Sequence, residues 1–237
     1  MSGGKKAVIL GATSGIGREM ALCLARHGWR VAVTGRREHL LREIEATSPD
    51  AIISQILDVD DTEALSGRLD ALAERLGGAD LVIVSAGCGF INAELAIPPE
   101  LRTVQTNVAG FTAAAAWAYG YFNKRGGGHL AAITSVGGLV GEGAAPAYPA
   151  SKAYQILYLD SLHKRAKKER VDIRITELRP GFVDTDMMKG EGHFWVSSPR
   201  DAAELACRAI FKGRRLQYIS RRWRGIGVIL RLLSLFK

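Results

Sequence analysis

Cysteine, proline and aromatic residues are all scarce in this 237-residue chain: three Cys, seven Pro, and 7% Phe, Trp and Tyr together. Cys23, Cys88 and Cys207 form no Cys-x-x-Cys pair and cannot all pair with one another. That excludes a disulfide scaffold and points to a reducing, cytoplasmic setting. The five histidines are scattered with no His-Glu-x-x-His or His-x-His spacing, so no metal site is expected. No run of about 18 apolar residues exists, which excludes a bilayer-crossing helix. The nearest approach, residues 225–236, is interrupted by Arg231. The start, Met-Ser-Gly-Gly-Lys-Lys, leads into an apolar run too short for a signal peptide.

What remains is ordinary for a globular chain: 47% apolar and 24% charged residues. The length suits one domain with a sizeable core. The net charge is +8, but it is unevenly placed. Residues 212–237 hold eight of the 32 basic residues and none of the 24 acidic ones, so residues 1–211 balance at 24 against 24. A neutral body with a basic tail is not the footprint of a nucleic-acid-binding domain, and no nucleic-acid partner is expected.

Apolar β-branched runs alternate with helical patterns along the chain. Strands are expected over 6–10, 30–34, 51–57, 81–85, 129–134, 172–177 and 216–219. Helices are expected over 17–27, 38–46, 62–76, 101–124, 148–168 and 199–211. The strand cores read as continuous apolar runs, which suits a sheet buried on both faces. The pattern predicts an α/β fold: one doubly wound parallel sheet with helices on both faces. Residues 1–220 form that domain, and 221–237 a separate basic, apolar C-terminal segment.

The first strand ends in Gly11-Ala12-Thr13-Ser14-Gly15-Ile16-Gly17, with a helix to follow. Glycines there turn the chain, admit a pyrophosphate close to the backbone, and let helix and strand pack tightly. The helix start then offers free N–H groups to an anion. An ordinary βα turn also uses glycines; the position after an N-terminal strand favours dinucleotide binding. The second strand ends in Thr34-Gly35-Arg36-Arg37, with no acid for a ribose 2′-hydroxyl. Arginine suits a 2′-phosphate by charge and by its planar fork, so NADP(H) is expected over NAD(H).

Tyr148-Pro149-Ala150-Ser151-Lys152 is a Tyr-x-x-x-Lys. On a helix these two residues share a face. A nearby ammonium is expected to lower the phenol's pKa toward working pH, as acid–base chemistry requires.

Taken together, the glycine loop, Asn107, Ser135, Tyr148 and Lys152 resemble the short-chain dehydrogenase/reductase family, over roughly residues 5–220. Pro180-Gly181-Phe182-Val183-Asp184-Thr185 is similar to the family's Pro-Gly-x-Val-x-Thr, and Asp58-Val59 to its adenine-contacting pair. The resemblance implies a Rossmann-type domain and a set of roles. Tyr148 gives a proton to a carbonyl oxygen. Lys152 tunes the tyrosine and holds the nicotinamide ribose. Ser135 positions the carbonyl, and Asn107 holds a water relaying protons to Lys152. It further implies that Gly11, Thr13, Ser14, Gly15, Ile16, Gly17, Arg36, Arg37, Asp58, Val59, Ala86, Gly87, Pro180, Gly181, Val183 and Thr185 contact the cofactor. One departure is visible: where the family reads Asn-Asn-Ala-Gly, this chain reads Val84-Ser85-Ala86-Gly87. Some support for the central sheet is lost there, with cofactor binding expected to survive.

Three segments beyond the strand ends would line a substrate: 88–97, 136–147 and 186–198. The last carries Met187, Met188, His193, Phe194 and Trp195 between glycines, as a lid over a hydrophobic substrate would. The expected activity is NADPH-dependent reduction of a hydrophobic ketone or aldehyde. A non-catalytic nucleotide sensor and a membrane-surface reductase of a lipid-linked carbonyl are the alternatives. The tail Arg-Arg-Trp-Arg-Gly-Ile-Gly-Val-Ile-Leu-Arg-Leu-Leu-Ser-Leu-Phe-Lys is open to three uses: an anionic membrane surface, a partner, or the body itself. Family members pair two long helices, here about 101–124 and 148–168, so a homodimer or homotetramer is expected.

Overall fold

The structure, a computed structural model, describes residues 4–188, 192, 194–220 and 222–233, the last six of these as main chain. Seven parallel strands form one sheet in the order β3-β2-β1-β4-β5-β6-β7. They are β1 (Lys6–Leu10), β2 (Arg30–Gly35), β3 (Ile52–Ile56), β4 (Leu81–Val84), β5 (Gly128–Ile133), β6 (Ile173–Pro180) and β7 (Leu216–Ile219). The helices are α1 (Gly15–Arg26), α2 (Glu38–Thr47), α3 (Thr62–Leu76), α4 (Ile97–Val104), α5 (Phe111–Lys124), α6 (Ala147–Glu169), α7 (Pro199–Phe211) and α8 (Arg222–Leu233).

The continuous apolar runs have the reason expected of them. Alternate residues of each central strand feed two separate cores. Val8, Val82, Leu130 and Phe111 belong to the core under α3, α5 and α6. Ile9, Ile83, Ala131 and Met20 belong to the one under α1, α2 and α7. The strand order reverses between β1 and β4, and a crevice at such a switch is where doubly wound sheets take ligands.

Two elements differ from the sequence reading. The helix expected over 101–124 begins at Ile97, because Pro98 and Pro99 fall in its first turn, where their missing N–H groups cost nothing. It is also not continuous: residues Gln105–Gly110 form a π-helical turn between α4 and α5. The second difference is the tail. Arg222–Leu233 is helical and its first turn is seated on the body. Among the described residues, no helix is long and apolar enough to cross a membrane.

Candidate active site

At the end of β1 the glycines do steric work. Gly11 has φ +84°, and a Cβ there would lie 2.5 Å from the Ala86 Cα and N. A Cβ on Gly17 would collide with the Gly11 carbonyl and lie 2.7 Å from the Ser85 Oγ. Ser85 therefore fills the space under the loop in place of the family asparagine. Ser14 is the N-cap of α1, yet its side chain makes no capping bond. Its hydroxyl instead accepts from Arg37 Nη2 at 2.7 Å, and the Thr13 hydroxyl accepts from Arg37 Nη2 and Nε at 2.7 and 3.2 Å. The two hydroxyls thus hold the Arg37 fork beside the mouth of α1. Arg36 lies 3.7 and 3.6 Å from Asp58 and Asp60 in exposed pairs of small energetic weight.

The four expected catalytic residues come together at the carboxyl ends of β4 and β5. The π turn sets Asn107, which is fully buried. An extra residue in a turn rotates the following side chain, and such turns recur at functional sites. Asn107 Oδ1 accepts from the Cys88 N–H at 2.9 Å, while Nδ2 donates to the Cys88 carbonyl at 2.7 Å and the Ser151 hydroxyl at 3.0 Å. Its main-chain carbonyl accepts from Gln155 Nε2 at 2.9 Å. Both amide hydrogens are committed, and the side chain anchors Cys88.

Lys152, only 4% exposed, donates to the Ile133 carbonyl at 3.1 Å and to Gln155 Oε1 at 3.0 Å. Burial pushes its amine down to about 8. Its Nζ sits over the Tyr148 ring, 5.8 Å from the centroid. Burial pushes the Tyr148 phenol up, and the hydrogen bond with Ser135 pulls it part of the way back. The expected lowering is not the net outcome: burial raises the phenol on balance, and the Ser135 hydrogen bond offsets part of that rise. Ser135 itself is nearly buried and also accepts the Gly137 N–H at 3.0 Å, capping the short 3₁₀ turn Val136–Leu139.

Three site features lay beyond the sequence reading. Gln155 locks Lys152 to Asn107; it sits three residues after Lys152, a spacing that puts both on one helix face. Gly89 lies against Tyr148, with a Cβ placed 2.6 Å from the ring. Trp223 of α8, 4% exposed, covers Gly181, where any Cβ would collide with the indole. Gly181 is thus a seat for the tail helix, and no local pattern joins residues so far apart. Trp223 also meets Phe182, Phe194 and Trp195 at ring separations of 5.3, 5.3 and 6.1 Å. In the 186–198 loop, Lys189, Gly190, Glu191 and His193 lie outside the described residues. Val183 bridges to Ser197, and Thr185 lies against Gly15.

The cradle suits a dinucleotide. Gly11 and Gly17 admit no Cβ, the first turn of α1 is uncapped by Ser14, and a guanidinium stands at the end of β2. Among the described residues there is no cluster of metal-ligating groups.

A doubly wound sheet with this cradle and a serine–tyrosine–lysine cluster defines a class of nucleotide-dependent oxidoreductase. Residues 5–194 match the family model for short chain dehydrogenases, and the chain belongs to the short-chain dehydrogenase/reductase family as an oxidoreductase. It is 33% identical over 217 residues to an uncharacterized oxidoreductase of Myxococcus xanthus, covering 88% of this chain and 85% of that one. It is 37% identical to an uncharacterized oxidoreductase of Mycobacterium tuberculosis, covering 77% and 75%. Among solved structures, it resembles an alcohol dehydrogenase from the archaeon Thermococcus sibiricus complexed with 5-hydroxy-NADP. There the TM-score is 0.78 at 25% identity, covering 90% of this chain and 95% of that one. A short chain dehydrogenase/reductase from Burkholderia phymatum in complex with NAD shares the fold at TM-score 0.84 and 21% identity, covering 94% and 92%.

Proposed function

We propose that this protein reduces a hydrophobic ketone or aldehyde to an alcohol with NADPH. The observation that carries the reading is the environment of Tyr148: a phenol kept protonated by burial, beside the Ser135 hydroxyl, with a buried ammonium next to its ring. A reduced nicotinamide, when bound, supplies a hydride for a carbonyl carbon. Gly11, Gly15, Gly17 and the start of α1 would hold its pyrophosphate, and Arg37, with Arg36, its 2′-phosphate. Asp58-Val59, Ala86-Gly87 and Val183–Thr185 would hold the adenine, ribose and carboxamide ends.

The chain's own part is to orient the carbonyl and move a proton. Ser135 donates to the substrate carbonyl oxygen and Tyr148 gives that oxygen its proton. As the carbon–oxygen double bond becomes C–H and O–H, the phenolate left behind is stabilised by the Lys152 ammonium. The exposed apolar side chains on the three substrate segments support a hydrophobic substrate.

Replacing Tyr148 with Phe separates this from a nucleotide sensor. The rate falls about a hundred- to ten-thousand-fold with NADPH affinity nearly intact. Equal rates for variant and parent would overturn the assignment. The protein also pairs with a copy of itself through α4 and α6, whose exposed Leu101 and Leu157 are otherwise unexplained. Replacing both with Glu should yield a monomer by sedimentation.

A further inference from the structure

The mouth of the site is apolar, and the tail beside it is cationic. Large exposed apolar side chains gather on the loops that leave β4, β5 and β6: Phe90, Ile91 and Leu95, then Val140, then Met187 and Trp195. The first two loops are tied together. The Asn92 N–H donates to the Ala144 carbonyl at 2.7 Å, and Glu100 accepts from Asn92 Nδ2 at 2.7 Å and from the Ala147 N–H at 3.0 Å. Gly89, which backs the Tyr148 ring, leads directly into Phe90. The apolar rim therefore begins one residue from the phenol's backing.

Two rim residues are held in the left-handed backbone region, Leu95 at φ +52° and Trp195 at φ +51°. Leu95 is 60% exposed and Trp195 44%. A strained backbone that presents apolar surface to water does nothing for folding. It makes sense when something apolar covers that surface in use.

Charge identifies the occupant. The β4 and β5 loops carry exposed Glu94 and Glu142 and the β6 loop exposed Asp184 and Asp186, so the cations that could meet an anionic surface come from α8 and the basic tail. Trp223 and Gly227 face the body, on Gly181 and against the Tyr218 ring respectively. Arg222 and Arg224 are exposed, and Arg222 lies 5.8 Å over the Trp195 ring. Positions 225, 228, 229 and 232, which read Gly, Val, Ile and Leu, recur on the side of the helix away from Trp223. With Trp223 holding it to the body, a helix whose outward positions read apolar and are flanked by exposed arginines suits an anionic membrane surface.

We propose that the apolar rim and α8 dock together on an anionic lipid bilayer, so that the carbonyl substrate enters the site from the acyl layer. The docking stands on the surface alone, while the substrate clause rests on the reductase reading above.

The test is co-sedimentation of the full chain with phosphatidylcholine vesicles and with vesicles that also contain phosphatidylglycerol. The chain should pellet with the anionic vesicles, less so as salt rises, and only weakly with the neutral ones. The double substitution Arg222→Glu, Arg224→Glu should weaken that partition by more than about thirtyfold, the effect of losing two cations alone. Leu95→Asn should weaken it too while leaving the melting temperature unchanged or higher, because asparagine accepts the left-handed conformation. Equal pelleting of parent and charge-reversed chains, or no pelleting at all, would overturn the proposal. So would sedimentation showing that Leu95→Asn breaks self-association and leaves vesicle binding intact. An NADPH titration of the same preparations keeps the two readings apart: NADPH binding without vesicle binding sinks the docking alone.

Discussion

Tyr148 and Lys152 share a helix face but sit in different surroundings. The Tyr148 phenol lies beside Ser135, and the buried Lys152 amine is held by the Ile133 carbonyl and Gln155. Below about pH 8 the Lys152 amine is charged in the folded and unfolded chain alike, and the fold bears the cost of burying it. Between about 8 and its ordinary value of 10.5, the folded amine is neutral while the unfolded one keeps its proton. Stability therefore rises with pH across that window, by on the order of 3 kcal/mol for the full shift. Above pH 10 the unfolded tyrosine ionises before buried Tyr148 does, and the trend is opposed. Melting temperatures of the cofactor-free protein should climb from pH 8 to 10, and Lys152→Met should flatten the climb. A parent curve that is flat or falling there would contradict the burial of the cation. The residues themselves were legible from spacing. The direction of the tyrosine shift was not, because desolvation depends on what the rest of the chain packs around the phenol.

At the scale of elements, strands were easiest to read. A sheet buried on both faces demands continuous apolar runs, and β1, β2 and β7 lie within a residue of their expected ends. The π turn at Gln105–Gly110 was not read: Thr106, Asn107, Val108 and Gly110 are poor helix formers, but helical pattern on both sides carries across them. The seating of α8 was equally hidden. It depends on one residue without a side chain, Gly181, lying across from one indole, a match made only by the folded chain. That contact predicts a measurable coupling. Trp223→Ala removes a buried indole from Gly181, Phe182 and Phe194, at a cost of about 3–5 kcal/mol. The melting temperature should fall by on the order of 10 °C. NADPH should also bind several-fold more weakly, because the turn that loses its cover leads to Val183 and Thr185. A Trp223→Ala protein with parental stability and cofactor affinity would show that α8 is not seated as described.

On the scale of the whole molecule, the functional features all face one way. The glycine cradle, the Tyr148 cluster, the apolar rim and the first turn of α8 all gather at the carboxyl ends of the strands. The opposite end of the sheet carries the αβ connections. Charge follows a similar division, with a balanced body and a basic tail. Composition alone revealed that imbalance; only the fold brings the start of the tail beside the mouth of the site.

The proposed NADPH site at the junction of Thr13, Ser14 and Arg37 is most directly tested by a fluorescence titration of the purified protein with NADPH and NADH in parallel. NADPH should bind in the micromolar range, about tenfold or more tighter than NADH, since charged hydrogen bonds to a 2′-phosphate are worth roughly 1.5–3 kcal/mol each. Equal binding of the two, or binding of neither, would contradict it.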